Sequence, residues 1–249
     1  YAPCARVASM NTQTLTSEAA EQPAITHETD DRRDHILEVA MELFSQKGFA
    51  GTSMSAIARK VGIDQSTMYY WFKSKEHLLD EIVSLHGKTV EYAQLMSGMD
   101  GSWSARLYAL VYHDVLNLCL LPVDFYELET AAGKDRSRFG GFFDNYHSLA
   151  AIIRSLVEGG IAAGEFEHPD PWSCTFNIMV CDEGLQHRYH QGKQGKRLFN
   201  DGSSPEHIDC SAESYARMGA FNALSCLTGS GKVIQKAHDE ASSHGWLER

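Results

Sequence analysis

Between Thr52 and Lys75 the chain gathers side chains suited to hydrogen bonding rather than to covalent chemistry. The hydroxyls of Thr52, Ser53, Ser66, Thr67, Tyr69 and Tyr70, the amide of Gln65 and the ammonium of Lys75 are the kinds of group that hold phosphate oxygens or meet base edges. No nucleophile elbow, phosphate-binding loop or HExxH motif occurs, so no catalytic residue is assigned and no cofactor is expected. His187-Arg188-Tyr189-His190 sets two imidazoles at i and i+3, and the chain has 12 histidines. No third ligand is evident, and the pair falls in the last turn of a helix, where the dipole favours histidine. No metal site is assigned. A metal-responsive regulator and a small α-helical enzyme are the alternatives.

Local patterning supplies the elements that must carry these groups. From Asp31 the residues Ile36, Leu37, Ala40, Leu43 and Phe44 recur at helical spacing until Gly48, where a left-handed residue is wanted. Thr52 is read as the cap of a short helix holding Ile57, Ala58 and Val61. Gly62-Ile63-Asp64 forms a three-residue turn, and Asp64 caps a helix with Met68, Tyr69 and Phe72. Ser74 caps a fourth helix that carries an apolar face through Leu78, Leu79, Ile82 and Val83 toward about Ser97. Helix, three-residue turn, helix is the geometry that lays one helix in a major groove while its partner crosses the backbone, although many structural corners share it.

The run Ile36-Leu37-Glu38-Val39-Ala40-Met41-Glu42-Leu43-Phe44, with Gly48-Phe49, Thr52-Ser53-Met54, Ile57-Ala58, Val61-Gly62-Ile63, Thr67-Met68-Tyr69-Tyr70-Trp71-Phe72 and Lys75-Glu76-His77-Leu78-Leu79, closely resembles the signature of the TetR family of bacterial transcriptional regulators. The resemblance implies a homodimer binding a palindromic double-stranded DNA operator, a repressor by family habit, released by a small-molecule effector. In that reading Thr52, Ser53, Thr67, Tyr69 and Lys75 position the protein on phosphates, while Gln65, Ser66 and Tyr70 read bases. Trp71, where the family often has His, is assigned either to packing or to the DNA backbone.

The expected architecture is all-α. Residues 1–30 form a disordered arm in which Met10 is a possible start, residues 31–78 a helix-turn-helix DNA-binding domain, and residues 79–249 a larger helical effector-binding and dimerisation domain reached by a long helix. Beyond the breaker at Ser97–Ser102, helices are expected at 103–121, 122–132, 138–163, 171–190 and 211–227, then a long loop at 192–209 before the 211 helix, a short amphipathic piece at 232–241 and frayed last residues. Effector contacts are expected from Tyr92, Met96, Tyr112, His113, Phe125, Tyr126, Phe143, His147, Phe176 and Asn177, with Asn145 a further polar candidate, around a moderately hydrophobic ligand. The small residues Ala216, Gly219, Ala220, Ala223 and Cys226 allow close helix approach, either across a dimer or within the chain.

The formal net charge of −11 argues against nucleic acid until it is divided. Residues 31–80 hold seven basic and seven acidic side chains, so most of the acid lies elsewhere. Six cysteines without a close pair fit a reduced, cytoplasmic chain, and neither a signal peptide nor an apolar run of ~18 residues is evident, so no membrane is expected.

Overall fold

A computed structural model describes residues 25–86, 88–167, 170–195 and 210–248, and every regular element among them is helical. A head is built by α1 (Ile25–Lys47), α2 (Met54–Val61), α3 (Gln65–Trp71) and α4 (Lys75–His86). The body comprises α5 (Thr89–Gly98), α6 (Trp103–Leu120), α7 (Phe125–Lys134), α8 (Gly140–Ala162), α9 (Pro171–Lys193), α10 (Ala212–Thr228) and α11 (Gly231–Ser243).

The apolar stripe of α1 closes on Ile57 and Ala58 of α2, Met68 of α3 with Phe72 just beyond it, and Leu78, Leu79 and Ile82 of α4, all buried. Gly48 and Gly62 end α1 and α2 at φ of 74° and 80°, a conformation that only glycine adopts without strain. The core does not stop at the head. Leu121, Val123, Leu128, Ala131 and Ala132, from the α6–α7 corner and α7, belong to the same buried cluster. The boundary expected at 78/79 therefore cuts through a shared core.

In the body, α6 is buried almost all round, as a central helix should be, and α5, α8, α9, α10 and α11 pack on it. Gln186 pins the corner after α6. Its Oε1 accepts the Phe125 N–H at 2.8 Å, and its Nε2 donates to the carbonyls of Val123 (2.9 Å) and Leu118 (3.2 Å). No single helix among the described residues is long and apolar enough to cross a membrane.

Several expectations are corrected. The helix starting α1 extends back to Ile25, because no Pro or Gly interrupts Ile25–Lys47; the rest of the arm, residues 1–24, lies outside the described residues. In place of the single joining helix expected from Ser74 to Ser97 there are two helices, α4 ending at His86 and α5 beginning at Thr89. The C-terminal residues are not frayed. Trp246 is buried, and its carbonyl accepts the Tyr92 hydroxyl at 2.7 Å and lies 2.6 Å from His113 Nε2. The small-residue stripe of α10 faces α6 within the chain: Ala216, Ala220 and Ala223 are buried. Of the long loop expected at 192–209, α9 takes residues up to Lys193, and 196–209 lie outside the described residues.

Gly219 shows how tight that seam is. A Cβ there would stand 2.6 Å from Val115 Cγ2 and 3.3 Å from Asp182 Oδ1, whereas one at Gly133 of α7 would meet nothing within 4 Å. Gly219→Val is expected to lower unfolding free energy by about 1–3 kcal/mol through overpacking. Gly133→Ala is expected to raise it by about 0.5 kcal/mol through helix propensity. Urea titrations followed by circular dichroism check both signs.

Candidate nucleic-acid interface and ligand cavity

One face of the head is built at the adjoining ends of α2, α3 and α4. Ser53, with extended backbone, caps α2: its Oγ accepts the Ala56 N–H at 3.2 Å. Asp64 occupies the cap position of α3 without a side-chain bond, and Ser74 Oγ accepts the His77 N–H at 3.1 Å at the start of α4. A shallow groove brings Ser53, Ser55, Gln65, Tyr69, Lys73 and Lys75 together. Gln65 and Ser66 are exposed at the start of α3, Thr67 is half-buried, and Tyr70 stands out at 73% exposure.

Two of the expected phosphate contacts are placed differently. Thr52 is not the cap: it is 3% exposed, and its hydroxyl donates inward to the carbonyls of Gly48 (2.9 Å) and Leu43 (3.1 Å). Lys75 Nζ donates to the carbonyls of Phe49 (2.6 Å) and Thr52 (3.0 Å) and lies 4.3 Å from the Phe49 ring centroid. Both side chains brace the turn between α1 and α2 from inside. Lys73 is the exposed ammonium of the groove, its Nζ donating to the Tyr69 carbonyl at 3.2 Å. Trp71 is half-buried and meets Tyr70 edge-on with centroids 5.3 Å apart, which gives it a packing contact.

Across the same turn runs a contact that the local sequence pattern did not show. The Phe49 N–H donates to Glu127 Oε2 of α7 at 3.0 Å. The Gly48-Phe49 segment is thus held from the body through Glu127 and from α4 through Lys75. On α4, His77 adds a second tie: its Nδ1 accepts the Lys73 N–H at 3.3 Å, its Nε2 lies 3.4 Å from Glu81, and Glu81 pairs with Arg33 of α1 at 2.6 Å.

An apolar cavity of about 100 Å³ lies among α4, α5, α6, α7, α8 and α9, lined by Val83, Val90, Leu118, Phe125, Phe142, Tyr146 and Met179, with Asn117 and Asn145 among its polar groups. Asp114 and Glu183 also reach its wall. Burial, and then the charge of Glu183, pushes the Asp114 carboxyl up to about 7. Burial also raises Glu183, although the Tyr146 hydroxyl donates to its Oε1 at 2.7 Å and opposes the shift. Next to Glu183, Asp182 is 1% exposed, and neither of its oxygens has a hydrogen-bond partner among the described residues. Burial raises it strongly, with Asp114 and Glu183 adding to the effect.

Of the expected effector residues Phe125 lines this cavity, as does the further polar candidate Asn145. Tyr92 and His113 are committed to the Trp246 carbonyl, with their rings 4.1 Å apart, and Met96 and Tyr112 lie in the core beside them. Phe143 packs under Arg136 at 3.9 Å. Tyr126 borders a separate open cleft between head and body, and His147 is exposed. Phe176 and Asn177 lie on the outer face of α9, where Trp172 (58%), Phe176 (59%) and Val180 (44%) form an exposed stripe at i, i+4 and i+8, near Phe221 (51%) of α10. The histidine pair is also spent structurally. His187 Nδ1 lies 2.6 Å from Asp124 Oδ2, the residue that caps α7, and His190 is buried with its basicity lowered by desolvation. Among the described residues no cluster of three metal-ligating side chains forms.

The head coincides with a known sequence family: residues 36–82 match the model of bacterial regulatory proteins of the tetR family. The chain is 38% identical over 68 residues to the HTH-type transcriptional regulator AcrR of Shigella flexneri, a match spanning 27% of this chain and only 32% of that protein. It is 26% identical over 153 residues to the HTH-type transcriptional repressor KstR2 of Rhodococcus jostii, spanning 59% of this chain and 74% of that one. The crystal structure of a bacterial regulatory protein in the tetR family from Rhodococcus RHA1 superposes with a TM-score of 0.60 at 19% identity, covering 79% of this chain and 97% of that one. The family model and the match of highest identity fall on the head, a weaker sequence match extends into the body, and the structural match covers most of the chain: the head carries the helix-turn-helix of the tetR family of bacterial regulatory proteins, and the chain has the fold of those regulators.

Proposed function

We propose that this chain is a dimeric transcriptional repressor that grips a two-fold operator with α3 and releases it when a small molecule occupies the cavity beside α6. The observation that carries the reading is the exposure of Gln65, Ser66, Tyr69 and Tyr70 on a short helix whose own core is shared with α7, a wall of the ligand cavity. Gln65 suits bidentate pairing with adenine, whereas Ser53, Tyr69 and Lys73 suit phosphate contacts. The stripe Trp172, Phe176 and Val180, with Phe221, supplies the apolar face that a second copy would cover. Two heads then stand one DNA turn apart, ~34 Å, as successive major grooves require.

Release follows from the contacts of α7. Phe125 and Leu128 line the cavity, and Glu127 between them holds the Phe49 N–H at the base of the DNA-facing groove. The break between α4 and α5 also falls at the cavity, with Val83 on one side and Val90 on the other. A ligand that moves α7 therefore moves the head through one hydrogen bond and a shared core, not through one rigid lever.

Gln65→Ala is expected to change the ranking of operator variants in a binding panel, while Lys73→Ala weakens all of them alike and lowers the salt slope by about 1. An unchanged ranking removes Gln65 from base readout. Phe176→Glu is expected to give a monomer by light scattering and to abolish the operator shift; a dimer that survives it places the interface elsewhere. For any compound found to enter the cavity, saturating operator DNA is expected to weaken its affinity by about 5- to 150-fold in calorimetry, and Glu127→Ala to reduce that factor. Equal affinities with and without operator exclude ligand-induced release.

A further inference from the structure

The cavity wall carries carboxyl groups for which the described residues supply no countercharge. Asp114 is 6% exposed and lines the cavity, and no hydrogen bond or ion pair reaches its carboxyl among the described residues. Glu183 lines the same space with the Tyr146 hydroxyl as its hydrogen-bond partner, and Asp182 next to it has both oxygens unpartnered among the described residues. No Lys, Arg or His forms an ion pair with any of the three among the described residues. Burying acids without cations is costly, and an apolar or amide side chain of similar size fills such space more stably. Acids retained this way, at the wall of a cavity, are candidates for a site whose partner comes from outside.

We propose that the cavity is a site for a hydrophobic organic cation, an alkyl or aryl ammonium, whose positive charge lies against Asp114 and Glu183 while Phe125, Phe142 and Tyr146 surround its apolar groups. The proposal rests on the effector reading above and gives that effector a chemical class. The rings suit the charge as well as the carbon, because a quaternary ammonium is attracted to aromatic faces. Asn117 and Asn145 face the same space as neutral groups.

Protonation makes the proposal specific. The groups facing Asp114 are Glu183 and Asp182 of α9, with Tyr146 of α8 and Glu129 of α7 acting on Glu183. A raised carboxyl in the empty cavity holds its proton below about pH 7 and releases it above. A cation competes with that proton, so its affinity must rise with pH through this range.

Calorimetry on the full chain should compare phenyltrimethylammonium with tert-butylbenzene, which differ in shape only by carbon in place of nitrogen. The expected result at pH 8 is about tenfold or greater preference for the cation, shrinking by pH 6, with the neutral probe unaffected by pH. Asp114→Asn and, separately, Glu183→Gln are expected to cut the cation's affinity about tenfold and leave that of tert-butylbenzene unchanged. Asp114→Asn removes a buried carboxyl with no ion pair among the described residues, and an amide oxygen at 183 can still accept the Tyr146 hydroxyl, so neither variant is expected to lose stability at pH 8; a thermal melt of each verifies it. Equal or tighter binding of the neutral probe, no binding of the cation, or a preference indifferent to pH would each overturn the proposal. Operator binding by the ligand-free protein is measured on the same preparation. Its absence counts against the regulator reading, whereas loss of the cation preference with operator binding intact counts against the ligand class alone.

Discussion

The burial of one apolar cluster shared by head and body is the constraint on which the remaining structure depends. Leu121, Val123, Leu128, Ala131 and Ala132 close the core that α1 to α4 leave open, so the head has no separate hydrophobic interior to complete. A helix-turn-helix of this size buries too little surface to be rigid on its own. Once α7 seals it, the orientation of α3 and the shape of the cavity on the other side of α7 become properties of one packed unit. Packed cores move between discrete arrangements rather than deforming smoothly.

Polar contacts then fix the details that the core leaves free. The Gly48-Phe49 turn is held by Glu127 at the Phe49 N–H and by Lys75 at the Phe49 carbonyl, and Thr52 closes it from within. All three side chains bond backbone groups of the turn and so add to its own backbone hydrogen bond from the Thr52 N–H to the Phe49 carbonyl. Gln186 does the same for the corner between α6 and α7. The acids at and beside the cavity break this pattern, since neither oxygen of Asp182, next to Glu183, has a hydrogen-bond partner among the described residues. A fold that ties its buried turns so consistently leaves these carboxyls without a countercharge among the described residues, beside the space where a ligand fits.

The two histidines and the small-residue stripe show why residue type alone is a poor guide to role. His187 and His190 have metal-pair spacing, but one serves the cap of α7 and the other is desolvated in the core. Ala216, Gly219, Ala220 and Ala223 do permit close approach, and the helix they approach is α6 of their own chain. Large apolar residues left outside include Trp172, Phe176 and Val180 on the neighbouring α9 and Phe221 on α10 itself.

The sequence by itself determined the helices and the head. Apolar spacing in α1, glycines at Gly48 and Gly62, and capping residues at Ser74 and Asp170 act over a few residues, so they are legible without knowing the fold. The same locality made the family signature visible between Ile36 and Ile82. Tertiary structure alone decided which side each polar group faces. Thr52 and Lys75 turn inward because the α1–α2 turn offers carbonyls there, and Glu127 reaches Phe49 across 78 residues of chain. Tyr92 and His113 left the cavity because the C-terminal Trp246 folded back onto them, and Asp114 and Glu183 entered it because α6 and α9 pack with those positions facing each other's gap. Periodicity gives the buried face of a helix, but the partner buried against that face is chosen by the whole chain at once.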